Sequence, residues 1–382
     1  MEEQASLGIP RAFADLPDPR KANSRHALLD ILTIALCAVI CGANDWVAVV
    51  AYAKSKEAWL RTFLPLHSGI PSHDVFGRVF ARLNPEKFEA CFRNWISALE
   101  ELSGGQLAGK TVAIDGKSIR RSYEHAWDKI GMAHMVSVFV QENQICFAQL
   151  KAESKGGEYD TIKKILEMID IKNATVTIDA LGCNIDVAQI IREAKGDYLL
   201  QIKENQPTLL SKVATLFNEA VLEKFKDLRH GTATTVDGDH GRIETRTIHV
   251  IWDVKHLGDL AKQWPGLRSL VMIEATREVN EKTSVEKHYY ISSLDRRHKA
   301  ETILARARGH WSIENNLHWQ LDVSFGEDDR RLRKGHGAEN FSRLTRIALT
   351  LLKKETTLKI GIENKRKVCG WDNNYLLKVI KC

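Results

Sequence analysis

Residues 302–328, TILARARGHWSIENNLHWQLDVSFGED, have the pattern of one long amphipathic helix. On a wheel with about 100° per residue, Glu314 lies in the middle of a mainly apolar face. A carboxylate there is costly to bury unless a cation lies beside it. We therefore expect the fold to bring a cation to Glu314. The same face carries His310, Trp311, Leu317, His318, Leu321 and Phe325.

The two tryptophans of this stretch differ in their position relative to Glu314. Trp311 shares the face of Glu314, so we expect it to pack in the core. Trp319 falls on another side, and for this residue both core packing and stacking on a base stay open.

Composition is that of an ordinary globular protein, and 382 residues are enough for two or three domains. The formal net charge is +6, but residues 330–367 alone hold twelve Lys or Arg and three Asp or Glu. Such a basic segment suits a polyanionic partner, although charge runs are also typical of solvated helix faces.

Neither disulfides, zinc fingers nor membrane spans are expected. The seven cysteines are odd in number and form no C-x-x-C motif, a pattern typical of a reduced, cytoplasmic protein. The N-terminus does not resemble a secretion signal. The most apolar run, residues 31–43, is shorter than a bilayer-spanning helix.

Periodicity along the chain predicts helices first, then alternating strands and helices, and then a strand-rich region. Within the first part, residues 72–83 could be the second helix of a helix-turn-helix or an ordinary core helix. We predict an α/β fold with these parts: an N-terminal all-α domain at 1–103, a first part of the core at 110–207, an inserted β-rich subdomain at 208–298, completion of the core at 299–355 and a tail at 356–382.

Two aspartates each follow a short β-branched strand, in AID115GK and TID179ALG. If the strands are neighbours, their carboxylates can point into one crevice, where Glu314 could join them. Three crowded carboxylates do not all stay ionised without cations, and Mg²⁺ or Mn²⁺ prefers oxygen ligands. Taken singly, Asp115 and Asp179 could be turn or cap residues, and Glu314 could pair with Arg308 or Lys334.

Several ordered motifs resemble bacterial insertion-sequence DDE transposases, and most of all the branch of the H-repeat-associated proteins of Rhs elements. The likeness covers nearly the whole chain. The motifs are DPRKANSRHALLDILTIALCAVICGANDW (18–46), PSHDVFGRVF (71–80), AIDGKSIR (113–120), TIDALGCN (177–184), YLLQIKENQP (198–207), HGRIETR (240–246), HWSIENNLHWQLDVSFGEDD (310–329) and GHGAENFSRLTRIALTLL (335–352).

The resemblance implies a ribonuclease-H-like mixed sheet flanked by helices, with Asp115, Asp179 and Glu314 holding two Mg²⁺ or Mn²⁺ ions. It implies hydrolysis at the element ends and attack of the freed 3′-hydroxyl on target DNA, by a homodimer assembled on double-stranded DNA in the bacterial cytoplasm, with neither membrane nor small-molecule cofactor. Relatives often carry Tyr, Arg and Lys on the Glu helix. Here those positions hold Ala307, His310 and Leu321, so release of strands through a hairpin is not implied.

Several polar residues near the predicted crevice are candidates for DNA contact, mostly to phosphate. For Lys203, Asn205 and Gln206, the alternative is capping of the loop. For the strand at Arg242, the alternative is a set of cross-strand ion pairs. The candidates are Lys117, Lys203, Asn205, Gln206, His240, Arg242, Arg246, His310, His318, Arg330, Arg331, Arg333 and Lys334.

Two other functions fit parts of the pattern. His310, Glu314 and His318 share one helix face and could be zinc ligands of a hydrolase, although this gives no role to Asp115 or Asp179. The second function is that of a catalytically silent, DNA-binding remnant of an insertion sequence.

Overall fold

Strands form the centre of the computed structural model, which describes residues 12–22, 24–99, 107–123, 131–154, 156–239, 242–279 and 282–381. Within those ranges, nine strands form one sheet. They are β1 (Thr111–Ser118), β2 (His134–Val140), β3 (Ile145–Lys151), β4 (Thr175–Ile178), β5 (Asp197–Ile202), β6 (His230–Asp239), β7 (Arg242–Ile251), β8 (Ser269–Val279) and β9 (Lys282–Ser292).

The sheet is mixed, with the order β3-β2-β1-β4-β5-β9-β8-β7-β6. Strands β1, β4 and β5 are parallel neighbours, and β2 and β9 run antiparallel to the strands beside them. The mixed α/β architecture predicted from the sequence is present. The strands expected within residues 208–298 are present too, and they continue the same sheet because β9 pairs with β5.

Helices precede, connect and follow the strands. None of the described helices is long and apolar enough to span a bilayer. They are α1 (Leu28–Ile40), α2 (Trp46–Ser55), α3 (Glu57–Leu60), α4 (His73–Arg82), α5 (Pro85–Leu99), α6 (Glu158–Met168), α7 (Ile185–Glu193), α8 (Pro207–Leu222), α9 (Asp259–Gln263), α10 (Ala300–Ile313), α11 (Gly337–Lys354), α12 (Ile362–Trp371) and α13 (Asn373–Ile380).

The N-terminal helices pack against α11 near the other end of the chain. The Trp46 ring centroid lies 4.7 Å from that of Phe80 on α4 and 5.0 Å from that of Phe341 on α11. Phe76 and Val79 on α4 are buried as well. This packing accounts for the apolar positions of α4 and favours the core-helix interpretation of residues 72–83.

Helix α11 is almost wholly buried, and much of the basic segment lies inside the protein with it. The Arg343 guanidinium pairs with Glu89 of α5 at 2.7 Å, and Arg346 lies 3.4 Å from Glu327. A solvated basic face is therefore the wrong interpretation for this part of the segment, because buried carboxylates take up its charge. The buried cations are Arg330, Arg343, Arg346, Lys365 and Arg366.

The stretch of Glu314 is helical, but it departs from the α-helix at the glutamate. Helix α10 leads directly into two π-helical turns, Glu314–His318 and Gln320–Ser324. The N–H of Trp319 donates to the carbonyl oxygen of Glu314, five residues earlier. Such widened turns are frequent at functional sites.

The π-helical turns change which residues face the core. Ile313, Leu317, Leu321 and Phe325 are all buried, although a four-residue spacing drifts by about 40° per step around an α-helix. The wider turns offset that drift and keep these four side chains on one face.

Glu314 and Trp311 lie away from that buried face. Glu314 is exposed at its margin, and Trp311 is 52% exposed. The predictions that Glu314 lies in the middle of the apolar face and that Trp311 packs in the core are wrong, since both assumed a regular helix.

Candidate active site

Asp115 and Asp179 lie side by side on neighbouring parallel strands. Ile114 of β1 pairs directly with Ile178 of β4, and each aspartate is the next residue. Adjacent strands are about 4.8 Å apart, so the two carboxyl groups leave the sheet within one crevice. The predicted acidic cluster depends on the two strands being neighbours, and β1 and β4 are neighbours in the sheet.

The acids influence one another's proton affinity. Burial raises the pKa of Asp115 to about 7, helped by the negative charge of Asp179 and, to a smaller extent, of Glu158 and Glu314. The pKa of Asp179 is raised by burial and by Glu158, while the N–H groups of Gly182 and Leu181 and the charge of Lys203 oppose this. Glu314 is therefore close enough to affect Asp115 electrostatically.

Asp179 also has the capping role that is the alternative for a strand-end aspartate. Its Oδ1 accepts a hydrogen bond from the N–H of Leu181 at 3.1 Å, at the start of a 3₁₀ turn, Ala180–Gly182. One carboxylate oxygen can cap the turn while the other faces the crevice, so the cap fixes the orientation of the side chain.

The helix that carries Glu314 is held in place from two sides. Lys353 on α11 donates to the carbonyl oxygen of Asn316 at 2.8 Å, within the first π-helical turn. His310 Nδ1 lies 3.3 Å from Thr177 Oγ1 on β4. These contacts fix the register of Glu314 against the strand that leads to Asp179.

The two histidines lie behind the acids as neutral rings. His318 Nδ1 is 3.5 Å from Asp115 Oδ2, and its buried Nε2 has no hydrogen-bond partner among the described residues. Burial, together with the nearby cations Arg346 and Lys117, lowers the pKa of His318 to about 3. Burial lowers the pKa of His310 to about 4. Their environment suits neutral rings that shape the site better than cations that bind phosphate.

Lys117, which the sequence predicts as a DNA contact, faces three carboxylates of the protein itself. Its Nζ lies 2.7 Å from Asp322 Oδ1, 3.1 Å from Asp328 Oδ1 and 3.6 Å from Glu327 Oε2, and its side chain is 10% exposed. Although burial lowers it, the pKa of Lys117 is raised overall by these three acids. Lys117 therefore links β1 to the segment that follows Glu314.

Residues 203–206 surround the turn after Asp179. Asn205 Nδ2 donates to the carbonyl oxygen of Ala180 at 2.6 Å, and Gln206 Nε2 donates to that of Cys183 at 3.1 Å. Through these bonds both side chains cap the loop, which is the alternative to DNA contact for these two residues. Lys203 is exposed, and its charge lowers the pKa of Asp179. Of this group, Lys203 has an exposed cationic side chain beside the acids.

The candidates on the inserted strands form ion pairs within the sheet or lie outside the described residues. Arg246 Nη1 is 3.0 Å from Asp237 Oδ2 on β6, as the cross-strand alternative predicts. Arg246 Nη2 is 2.6 Å from Glu244 Oε1 on the same strand, β7. His240 lies outside the described residues, and Arg242 is described only in its backbone.

A cleft of about 440 Å³ separates these strands from the Glu314 helix. Arg246, Arg277 and Arg308 line it together with the exposed face of Trp311. Its walls include Ser312 and Asn315 of the Glu314 helix, but Asp115, Asp179 and Glu314 are not among its lining residues.

The four basic residues after the Glu314 helix separate into buried and accessible groups. Arg330 is buried, and its guanidinium donates to Thr345 Oγ1 at 2.7 Å and to the carbonyl oxygen of Phe325 at 2.8 Å. These bonds make it a structural group. Arg333 donates to the carbonyl oxygen of Arg121, whereas Arg331 and Lys334 are exposed.

Glu158, the first residue of α6, lies near the two aspartates and is not among the site residues predicted from the sequence. Its Oε2 lies 3.0 Å from His134 Nε2, and its charge raises the pKa of both Asp115 and Asp179. A glutamate at a helix N-terminus is common for reasons of the helix dipole alone, so the sequence carries no distinguishing signal for it.

The donor set suits a hard divalent cation, because it consists of carboxylate oxygens that repel one another. His318, whose Nδ1 lies 3.5 Å from Asp115 Oδ2, also has a buried Nε2 without a hydrogen-bond partner among the described residues. As arranged, no three His, Cys, Asp or Glu side chains in the described ranges converge closely enough to hold a metal ion. Rotation of exposed Glu314 is the simplest change that would bring a third carboxylate to the pair.

Comparison with known families identifies the class of protein. Residues 107–351 match the family described as "Transposase DDE domain", and residues 11–96 match the family described as "DDE_Tnp_1-associated". The chain belongs to the DDE transposase family. Members of this family generally use divalent metal ions.

Individual relatives agree with the family match. The chain is 35% identical to "Putative transposase YncI" of Escherichia coli O157:H7, over 96% of this chain and 92% of that one. It is 34% identical to "H repeat-associated putative transposase YhhI" of Escherichia coli K12, over 96% and 95%. A piggyBac transposase complex with hairpin DNA covers 99% of this chain and 77% of its own at 10% identity, with a TM-score of 0.37, which is too distant to add to the family match.

Proposed function

We propose that this protein is a metal-dependent DNA transposase of an insertion sequence, with Asp115, Asp179 and Glu314 as the residues that hold the ions. The observation that carries this proposal is the pairing of Ile114 with Ile178, which sets Asp115, within β1, beside Asp179, directly after the end of β4. Support comes from the raised pKa of Asp115, to which Asp179 and Glu314 both contribute.

Mg²⁺ or Mn²⁺ is the expected cofactor, with two ions in the site. When bound, such ions would activate the attacking oxygen and stabilise the leaving oxygen of a phosphodiester. The carboxylates of Asp115, Asp179 and Glu314 would hold the positive charge of these ions at one edge of the sheet. His318 limits the rotation of Asp115, and the turn at Ala180–Gly182 fixes Asp179.

The reaction we propose has two phosphodiester steps. Hydrolysis at the element ends frees a 3′-hydroxyl, which then attacks a phosphodiester of the target DNA. The partner is double-stranded DNA, and a homodimer would bridge two element ends. This activity belongs to the bacterial cytoplasm, at the nucleoid.

We further propose a ribonuclease-H-like core, supported by the mixed sheet and by the position of Asp115 within β1 beside Asp179 after the parallel strand β4. The proposed parts are an N-terminal DNA-binding domain at 1–103, the core at 110–207 and 299–355, the β-rich insertion at 208–298 and the tail at 356–382.

Exposed basic groups are the best remaining candidates for contact with phosphate. Lys203 lies beside Asp179, and Arg331 and Lys334 follow the Glu314 helix with exposed side chains. Arg246 and Arg308 line the cleft and are available in part, since both also pair with Asp237. Each added phosphate contact strengthens binding at low salt and steepens its salt dependence.

The decisive experiment uses the full-length protein and a duplex that carries the terminal repeat, read from the DNA flanking the gene. With Mg²⁺ or Mn²⁺, the unaltered protein is expected to cut the duplex at the element end, and zinc is not expected to replace these ions. Asp115→Asn, Asp179→Asn and Glu314→Gln are each expected to abolish cleavage while DNA binding in a gel-shift assay persists.

Glu301→Gln is the matched control, since it removes an exposed carboxylate from the same helix as Glu314. It should cleave like the unaltered protein. Full cleavage by any of the three site variants would refute the assignment. Binding without cleavage by the unaltered protein would instead identify a catalytically silent remnant.

A further inference from the structure

A fourth carboxylate reaches the site from α6. Glu158 begins that helix, and its side chain extends towards Gly116 of β1. A Cβ placed on Gly116 would clash with Glu158 Oε1 and would lie 2.6 Å from His134 Nε2. The missing side chain at Gly116 therefore leaves the space that the Glu158 carboxylate occupies. Because successive side chains of a strand point to opposite faces, this space lies on the face of β1 opposite to the Asp115 side chain.

His134 holds this carboxylate in one orientation. His134 Nε2 lies 3.0 Å from Glu158 Oε2, and His134 Nδ1 lies 2.9 Å from Ser118 Oγ. Both contacts are satisfied when Nε2–H donates to Glu158 and Nδ1 accepts from the serine hydroxyl. His134 and Ser118 are also direct cross-strand partners, so the sheet itself fixes the ring. The second oxygen, Oε1, is left on the side of Gly116.

Glu158 adds negative charge to the site. Its charge raises the pKa of both Asp115 and Asp179, and it is the largest charge effect on Asp179. A helix N-terminus favours any carboxylate in its first turn, and this applies equally to Asp160. The dipole of α6 therefore explains an acid in this turn, but it does not explain the contacts of Glu158 with His134 and Gly116.

We propose that Glu158 is a further metal-binding carboxylate of the active site, held by His134 in the space that the missing side chain of Gly116 leaves on β1. This inference rests on the proposed function, because the ion is the one that Asp115, Asp179 and Glu314 would hold. It adds a ligand from α6 to ligands from β1, the end of β4 and the Glu314 helix. The site would then draw on both strands and helices of the core.

The test measures binding of Mn²⁺ to the full-length protein without DNA, from the free-ion signal in electron paramagnetic resonance. Glu158→Gln keeps the shape of the side chain and removes its charge. It is expected to weaken Mn²⁺ binding by about tenfold or more. Asp160→Asn, which removes an exposed carboxylate from the same turn of α6, is expected to leave binding within about twofold.

Two further variants address folding and geometry. Glu158→Asp keeps the charge but shortens the reach, and it should weaken Mn²⁺ binding even if Glu158→Gln does not fold. Gly116→Ala places a methyl group where Glu158 Oε1 lies and should have the same effect. Circular dichroism before each titration identifies variants that are folded.

Comparison with Asp115→Asn separates this inference from the proposed function. If Asp115→Asn loses Mn²⁺ binding while Glu158→Gln and Glu158→Asp bind like the unaltered protein, Glu158 is only a structural partner of His134. If none of these variants changes Mn²⁺ binding, the proposed metal site fails as well. Loss of binding in both Asp115→Asn and Glu158→Gln, with Asp160→Asn unaffected, supports both.

Discussion

Lys117 Nζ lies 2.7 Å from Asp322 Oδ1, which joins the strand of Asp115 to the segment that follows Glu314. Lys117 is two residues after Asp115, and Asp322 is eight residues after Glu314. Since Asp328 and Glu327 share the same ammonium group, three carboxylates from one segment meet one lysine of β1. The relative position of Asp115 and Glu314 therefore depends on this contact.

Replacing Lys117 should damage catalysis and stability more than DNA binding. Lys117→Met leaves three carboxylates without their cation, which for a largely buried group costs about 3 kcal/mol. Urea unfolding measures this loss. Cleavage should fall while the affinity for DNA in a gel shift changes by less than about threefold, because the side chain is only 10% exposed.

Lys203→Met is the matched comparison, since Lys203 is an exposed lysine beside Asp179. It should weaken DNA binding at low salt and leave the free energy of unfolding almost unchanged. The reverse pattern, with Lys117→Met weakening DNA binding and sparing stability, would show that Lys117 contacts DNA after all.

Lowering the pH should reduce the free energy of unfolding by removing the contribution of the ionised Glu327 carboxylate. Although burial raises it, the pKa of Glu327 falls overall from 4.5 to about 2, because of Arg346, Lys117 and Arg330. A carboxyl group with a lowered pKa stabilises the fold fully above its unfolded pKa and loses this effect as the pH falls towards the folded pKa. The contribution at neutral pH is about 3 kcal/mol, and it declines between about pH 4.5 and 2.

The variant Glu327→Gln isolates this effect from the titration of other acids. At pH 6.5 it should be less stable than the unaltered protein by about 3 kcal/mol in urea unfolding, and at pH 3.5 the gap should shrink by about 1 kcal/mol. The exposed carboxylate of Glu223 is the control, because Glu223→Gln should change stability by less than about 0.5 kcal/mol at either pH. A gap that stays constant with pH would contradict the lowered pKa.

The N-terminal helices should depend on α11 through the Glu89–Arg343 pair. Both side chains are 1% exposed, and Arg343 Nε lies 2.7 Å from Glu89 Oε2. Glu89→Gln alone leaves a buried guanidinium without its partner and should cost about 3–5 kcal/mol. Glu89→Gln combined with Arg343→Met should cost less than the sum of the single changes, in urea unfolding of all three variants. Additive losses would mean that the pair does not act as a unit.

Local patterns were sufficient to predict the two strands that carry the aspartates, because a β-branched run needs only a few consecutive residues. Asp179 follows the end of β4, as predicted. The prediction that Asp115 ends its strand is wrong, because β1 continues to Ser118 through its pairing with β2. The pairing of Ile114 with Ile178 depends on the register of β1 and β4, which the local pattern does not contain.

The features that the sequence did not predict depend on distant partners or on irregular backbone. Arg343 looked like part of a basic surface because Glu89, its partner, lies 254 residues away in the sequence. Lys117 looked like a phosphate contact for the same reason. The exposure of Trp311 was missed because a wheel with a fixed period has no means of representing the π-helical turns that follow it.

Trp311 provides a direct test of that irregular backbone. Its side chain is 52% exposed, whereas Leu317 in the first π-helical turn is 1% exposed. Trp311→Ala should therefore cost less than about 1 kcal/mol in urea unfolding, and Leu317→Ala should cost about 2–5 kcal/mol. A regular helix with Trp311 in the core would instead give a loss of about 3–5 kcal/mol for the tryptophan. Trp311 lines the cleft between the Glu314 helix and the strands β7 to β9, so a small effect on stability would agree with a side chain that faces this open space.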